Sequence, residues 1–277
     1  MKIIYYHIGF TRTGNTFLRR KIYVKLKSVN YINQNNTELV TYLEKMYREK
    51  LTSNDIHNFN LYLSKYANKE KNLISSEGLA GLTIESNKKD RILILKELKQ
   101  ASKGYKIKII LTLREVVSAI TSFYNSYIVN GGTKNLNGFL SDFDYSQLNY
   151  SRYTKEITKI FGKNNLHILT YEKLTEQKEL RKLMDFLGEK DTPSFKNKRV
   201  NRGYGVLQMK LGRLINPFFK LYYNPNGLLP VKRIKIFNKT LILRPRLLLK
   251  YSQKLFFRKY NIPEDVAYKI RKEVGIK

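Results

Sequence analysis

Cysteine is absent from the 277 residues, which excludes disulfides and any Cys-ligated metal centre. Only three histidines are present, His7, His57 and His167, and they are too scattered to suggest a His-based metal site. No apolar run approaches the roughly 20 residues that span a bilayer. Met1-Lys2 runs straight into an apolar segment with no leader pattern, so a cytoplasmic chain is expected. Acidic residues are the other scarcity. The chain has 22 Asp and Glu against 53 Lys and Arg, a formal net charge of +31. Such a field steers anionic ligands inward and attracts polyanions and anionic membrane surfaces. Nucleic acid is the rival partner, but neither zinc-finger spacing nor an RNP-like aromatic pattern is present, and nucleic-acid binding is not expected. No internal repeat or low-complexity linker interrupts the chain.

What is present begins at the N-terminus. Ile3 to Ile8 is a run of β-branched and aromatic residues suited to a buried strand. Gly9, Thr11, Thr13 and Gly14 then turn the chain into Phe17-Leu18-Arg19-Arg20, which can continue as a helix. A strand, a small-residue loop and a helix start make an anion cradle, because the first helical N–H groups have no partner inside the helix. The spacing Gly9, four residues, Gly14 is nearly that of a P-loop. Asn15 and Thr16 stand where a nucleotide triphosphatase has Lys and Ser/Thr, and a cation sits inside the loop instead, at Arg12. The missing lysine counts against ATP hydrolysis.

Downstream, residues 15–27, 38–49, 53–67, 88–102, 115–129, 146–161 and 172–187 read as helices, with Thr37 and residues 53–55 as caps. Residues 72–78, 107–113 and 166–170 read as strands. The alternation predicts an α/β fold: a P-loop-like three-layer arrangement, a central parallel sheet flanked by helices. Ligands in such sheets sit beyond the carboxyl ends of the strands. Residues 9–16, residues 75–78, Arg114 and Tyr171 all fall at such ends, which points to one site. We expect a core over residues 1–195. Residues 196–277 form a basic, mainly helical C-terminal extension packed on it, since only Glu264, Asp265 and Glu273 are acidic there.

The loop Thr11-Arg12-Thr13-Gly14-Asn15-Thr16-Phe17 resembles the 5′-phosphosulfate loop of sulfotransferases of bacterial type. That family takes a sulfuryl group from 3′-phosphoadenosine 5′-phosphosulfate (PAPS) and releases the bisphosphate PAP. Two more features carry the resemblance. Arg114 ends a strand, and Ser122 follows eight residues later on the next helix. In the family this pair binds the 3′-phosphate, a sound use of a guanidinium fork and a hydroxyl. Val116 stands where the family often has a proline. Tyr171-Glu172-Lys173-Leu174 resembles a segment whose tyrosine lies near the adenine. The resemblance covers residues 1–190 and implies PAPS as donor and no metal. It implies Arg12, Thr13, Gly14, Asn15, Thr16, Phe17, Arg114, Ser122 and Tyr171 as cofactor-binding residues. Residues 198–205, with Arg199 and Arg202, are the candidate loop closing over the 3′-phosphate.

Sulfuryl transfer needs preorganised donors at the developing charge, a role for Arg12, Thr16 and the amides of residues 13–16, with the Thr13 and Asn15 side chains adding hydrogen bonds. It also needs a base for the acceptor proton. Glu77 is the candidate base, with a capping or loop role as the alternative. His7 is better read as a satisfied core histidine. Phe17 either stacks on adenine or belongs to the core. The acceptor is expected to be a carbohydrate or glycolipid hydroxyl, or an amine. Basic and apolar residues interleave in residues 231–237 and 243–250, which suits peripheral contact with the anionic inner membrane surface or, equally, a solvated basic face. The competing functions are a P-loop small-molecule kinase and a non-catalytic polyanion-binding protein.

Overall fold

The computed structural model describes residues 1–33, 37–81, 89–195, 203–230, 233–236, 239–242, 245–253 and 255–275. Along the chain, β1 (Ile3–Gly9) leads through a loop into α1 (Asn15–Phe17). Then come β2 (Asn30–Ile32), α2 (Thr37–Arg48), α3 (Ser53–Tyr66), β3 (Lys71–Ser75), α4 (Arg91–Ala101) and β4 (Lys106–Leu113). Next are α5 (Val116–Val129), α6 (Leu136–Ser141), α7 (Tyr150–Phe161), β5 (Leu166–Thr170) and α8 (Gln177–Leu187). The C-terminal part holds α9 (Val206–Ile215), β6 (Arg233–Ile236), β7 (Lys239–Ile242), α10 (Pro245–Ser252) and α11 (Glu264–Glu273).

The chain divides into two compact units: Met1–Glu115 with Asn149–Val200, and Val116–Leu148 with Asn201–Lys277. The division differs from one at residue 195 because α5 packs on α9 and α11, which takes residues 116–148 away from the sheet-bearing unit. The second unit holds helices and the antiparallel strand pair β6–β7.

The first unit is a five-stranded parallel sheet of order β2-β3-β1-β4-β5. β1 is central, and residues 4–9 are all buried, as a parallel strand covered on both faces requires. Its side chains alternate between two cores. Ile4, Tyr6 and Ile8 pack with Leu39 and Met46 of α2, Phe59 of α3, Leu98 of α4 and Ile157 of α7. On the opposite face Tyr5 packs with Leu18, Ile22 and Tyr23 and with Leu180, Met184 and Leu187 of α8. This is the three-layer fold.

The expected helix over 15–27 is a helical run over 15–25 whose hydrogen bonding changes along its length. α1 passes into a π-helical turn, Leu18–Ile22, and a 3-10 turn, Tyr23–Lys25. A turn closed five residues on, rather than four, brings positions i+4 and i+5 under i. Leu18, Ile22 and Tyr23 are all buried there. The cap of α3 is Thr52, one residue before the expected cap, in a reciprocal capping box with Asp55. Strand β2 and helix α6 carry no strong periodicity and were not expected. β2 is a three-residue edge strand, and α6 is a short helix capped by Asn135.

His7 ties the sheet together. Its Nδ1 lies 2.8 Å from Ser75 Oγ on β3, and its Nε2 lies 2.7 Å from Thr112 Oγ1 on β4. Both ring nitrogens are used, so the histidine is a satisfied core residue. Burial, with the nearby Arg19 charge second, lowers its pKa to about 3. The unfolded chain, with an imidazole pKa of 6.5, therefore binds a proton that the folded chain refuses. The stability from His7 is complete above pH 6.5 and is lost as the pH falls toward 3. The slope approaches about 1.4 kcal/mol per pH unit. His167, lowered in the same direction by burial, adds to it. Urea titrations between about pH 7 and pH 4 should show this acid destabilisation, and His7→Gln should flatten it while lowering stability at neutral pH.

Candidate active site

The loop after β1 closes on itself through buried polar side chains. Asn15 Nδ2 donates to the carbonyl oxygen of Phe10 at 3.0 Å and approaches that of Gly9 at 3.5 Å. Thr13 Oγ1 donates to the same Phe10 oxygen at 2.5 Å and lies 3.2 Å from Asn15 Oδ1. Gly9 is required: a Cβ there would fall 2.0 Å from Asn15 Oδ1. The Thr13 and Asn15 side chains, expected at a ligand, are spent inside the loop. Both are buried, and buried polar groups must find partners.

The loop backbone is itself unusual. Arg12 and Gly14 have φ of 69° and 88°, the left-handed region. Gly14 suits this conformation because it has no Cβ, and one there would also meet Leu174 Cδ1 at 2.4 Å. Arg12 takes this conformation against its steric preference, a strain of about 1–2 kcal/mol that clusters at functional loops. Among the described residues, the N–H groups of residues 13–16 have no acceptor. Four consecutive donors at the start of a helical run are what a phosphate or sulfate oxygen set requires. The half-buried Thr16 hydroxyl has no hydrogen-bond partner among the described residues and adds a fifth donor.

Arg114 and Tyr171 come to the same loop. Arg114 Nη1 donates to the Arg12 carbonyl oxygen at 2.9 Å, and its Nε lies 4.0 Å from Glu172 Oε1. The guanidinium stacks on the Tyr171 ring, 4.2 Å from its centroid. That ring also borders Gly14. Burial lowers the Arg114 pKa from its usual value, but an arginine remains charged at neutral pH. Phe17 packs edge-to-face on Phe195, with centroids 5.0 Å apart. Ser122 lies on α5, in the second unit. Arg199 and Arg202 lie outside the described residues.

Glu77 opens a 3-10 turn, Glu77–Ala80, just past β3. Its Oε1 accepts from Arg19 Nη2 at 2.6 Å, and both side chains are largely shielded, at 31% and 17% exposure. Arg19 stands three residues beyond Thr16 on the same helical run, so the pair ties the β3 end to the loop. Sequence reasoning missed Arg19, because nothing in Leu18-Arg19-Arg20 separates an inward arginine from a solvated one.

Tyr150 was missed for a similar reason. It starts α7 and packs on Phe10, with centroids 5.3 Å apart. Its hydroxyl is buried without a hydrogen-bond partner among the described residues. Burial raises the phenol pKa, with the charges of Arg91 and Arg114 opposing. An orphaned buried hydroxyl costs about 1–3 kcal/mol. Tyr150→Phe should therefore raise the thermal midpoint of the ligand-free protein. If the hydroxyl meets a bound ligand, the same variant should bind that ligand more weakly, as calorimetry would measure.

A sulfotransferase domain model matches residues 8–202. No curated protein sequence matches the chain. Among solved structures, a sulfotransferase from Alicyclobacillus acidocaldarius is 13% identical, with a TM-score of 0.49, over 77% of this chain and 92% of its own. The sulfotransferase domain from the curacin biosynthetic pathway is 14% identical, with a TM-score of 0.47, over 100% of this chain and 99% of its own. Mouse sulfotransferase SULT7A1, complexed with PAP, is 15% identical, with a TM-score of 0.43, over 99% of this chain and 82% of its own. The domain match spans well over half the chain and includes the loop, Glu77, Arg114 and Tyr171, and on it the chain belongs to the sulfotransferase family.

Proposed function

We propose that this enzyme transfers a sulfuryl group from PAPS to a hydroxyl, or an amine, of a carbohydrate or glycolipid acceptor. The observation that carries the reading is the row of N–H groups at residues 13–16, unaccepted among the described residues and framed by Arg12 and Gly14 at positive φ. PAPS, when bound, supplies the sulfuryl group and a phosphate leaving group. The amides of residues 13–16 and the Thr16 hydroxyl hold the oxygens of the 5′-phosphosulfate, and the exposed Arg12 guanidinium offsets charge that grows there. Arg114 takes the 3′-phosphate, with its plane set by Tyr171 beneath it. The Tyr171 and Phe17 rings offer apolar faces to the adenine.

Glu77 acts as the base. It takes the proton of the acceptor hydroxyl as the new oxygen–sulfur bond forms and the bond to the phosphate oxygen breaks. Arg19 is its positioning residue: it holds Oε1 and leaves Oε2 to face the acceptor.

Calorimetry with PAP in moderate salt, with AMP, ADP and ATP alongside, tests the cofactor. PAP should bind tightly and AMP weakly, and Arg114→Ala should abolish the difference. Equal binding of all four nucleotides, or a preference for ATP with Mg²⁺, would overturn the reading. The salt matters because so basic a chain attracts any polyanion.

The base is tested by PAP release from PAPS over a panel of glycan and glycolipid acceptors. Glu77→Gln should lower turnover by roughly 10²–10⁴-fold and leave PAP affinity intact. Arg19→Ala should lower kcat more than it raises KM for PAPS, and Arg19→Lys should recover part of the loss. A Glu77→Gln enzyme with normal turnover would return Glu77 to a structural role.

A further inference from the structure

We propose that the loop of residues 217–229, in the second unit, is a preformed anchor that inserts apolar side chains into an anionic bilayer surface. Its backbone is held from within. Asn224 Nδ2 donates to the carbonyl oxygens of Asn216, Pro217 and Phe219 at 2.9, 3.0 and 3.1 Å. Lys220 N donates to Leu229 O at 2.8 Å, and Leu229 N donates to Phe218 O at 2.7 Å. Gly227 lies against the Phe219 backbone so closely that a Cβ would fall 2.2 Å from its carbonyl, and only glycine fits. The loop base is fixed as well. The buried Asn216 side chain donates to Ile128 O at 2.7 Å and Gly132 O at 2.8 Å, at the end of α5.

A loop this well satisfied could turn its large side chains inward. It does the opposite. Phe218, Tyr222, Leu228 and Leu229 are 53%, 67%, 78% and 50% exposed. The only charge among residues 217–229 is Lys220, which is exposed. An ordered apolar patch of this kind on a protein surface marks an interaction site. The charge of the chain on either side of it in sequence points to the partner. Between Asp191 and Glu264 the chain has seventeen Lys and Arg and no Asp or Glu. Apolar side chains set in an all-cationic stretch match a surface that is hydrocarbon underneath and anionic on top. A soluble polyanion would use the cations but not the leucines.

The inference deepens the acceptor reading, since a bilayer-bound enzyme meets a lipid-linked glycan directly. It rests on that reading only for the acceptor, because bilayer binding is measured without turnover.

The chain has no tryptophan, so Leu228→Trp in the full-length protein introduces a single indole whose emission can be excited apart from the tyrosines. Leu61→Trp, at an exposed position on α3, is the control. Vesicles of phosphatidylcholine alone and of phosphatidylcholine with phosphatidylglycerol are added to each. L228W emission should shift to the blue with the anionic vesicles only, and L61W emission should stay unchanged. In co-sedimentation, the Leu228→Ser, Leu229→Ser pair should lower partitioning by roughly tenfold or more, from the loss of buried apolar area. PAP affinity should be the same in all variants, which separates failure of the anchor from failure of the nucleotide site. An unshifted L228W, equal shifts at both positions, or wild-type partitioning by the serine pair would overturn the proposal and leave charge adsorption alone. A blue shift of L228W without lipid that grows with protein concentration would overturn it in favour of self-association.

Discussion

The Asn15 carboxamide folded back on the carbonyls of Gly9 and Phe10 is the contact on which the rest of the site depends. It closes the loop from inside and consumes the acceptors that the loop would otherwise offer to its own N–H groups. The donors of residues 13–16 are left without partners among the described residues, arranged in sequence at the end of the central strand. The same contact explains the glycine at position 9, because any side chain there would occupy the space of Asn15. Thr13 reinforces the closure from the other side. Side chains that could have been read as ligand contacts are better understood as the scaffold that holds the loop backbone in place.

Positive charge is arranged around this scaffold in distinct ways. Arg114 is stacked on Tyr171 and bonded to the Arg12 carbonyl, so its plane is set by the protein. Arg12 itself is exposed at the loop tip, in a strained conformation. Arg19 is turned inward to Glu77 and lies close enough to His7 to help keep that imidazole neutral. A neutral, doubly hydrogen-bonded His7 holds β3 and β4 to β1 just below the loop. The sheet is therefore pinned by an uncharged polar ladder where the surroundings are strongly cationic. A charged imidazole there would face both desolvation and like-charge repulsion.

Most of the sheet-bearing unit was legible in the sequence. Ile3 to Ile8, residues 107–113 and residues 166–170 are apolar runs bounded by turn residues, and strands occupy each of them. The helices read over 146–161 and 172–187 end where expected, at Gly162 and Gly188. The short elements were not legible. β2 is three residues long and makes sense only as an edge paired to β3, while α6 owes its start to the Asn135 cap. Neither carries enough periodicity to stand out. The grouping of residues 116–148 with the C-terminal part was equally hidden, because it arises from helix α5 packing on α9 and α11, far apart in sequence.

The site shows the same division. By itself the sequence determined that a glycine-bounded loop with an internal arginine follows the first strand, that Arg114 ends another, and that an aromatic ends a third. These are local patterns, set by backbone sterics and hydrogen-bonding capacity, and they need no partner to be read. Tertiary structure alone decided what each side chain does. Asn15 and Thr13 face inward because burial obliges them to find partners, and Arg19 meets Glu77 across 58 positions of sequence. Tyr150 reaches Phe10 from a helix 140 residues away and leaves its hydroxyl unmatched among the described residues. Such roles depend on which groups a fold brings within hydrogen-bonding distance, and no pattern within one segment contains that information.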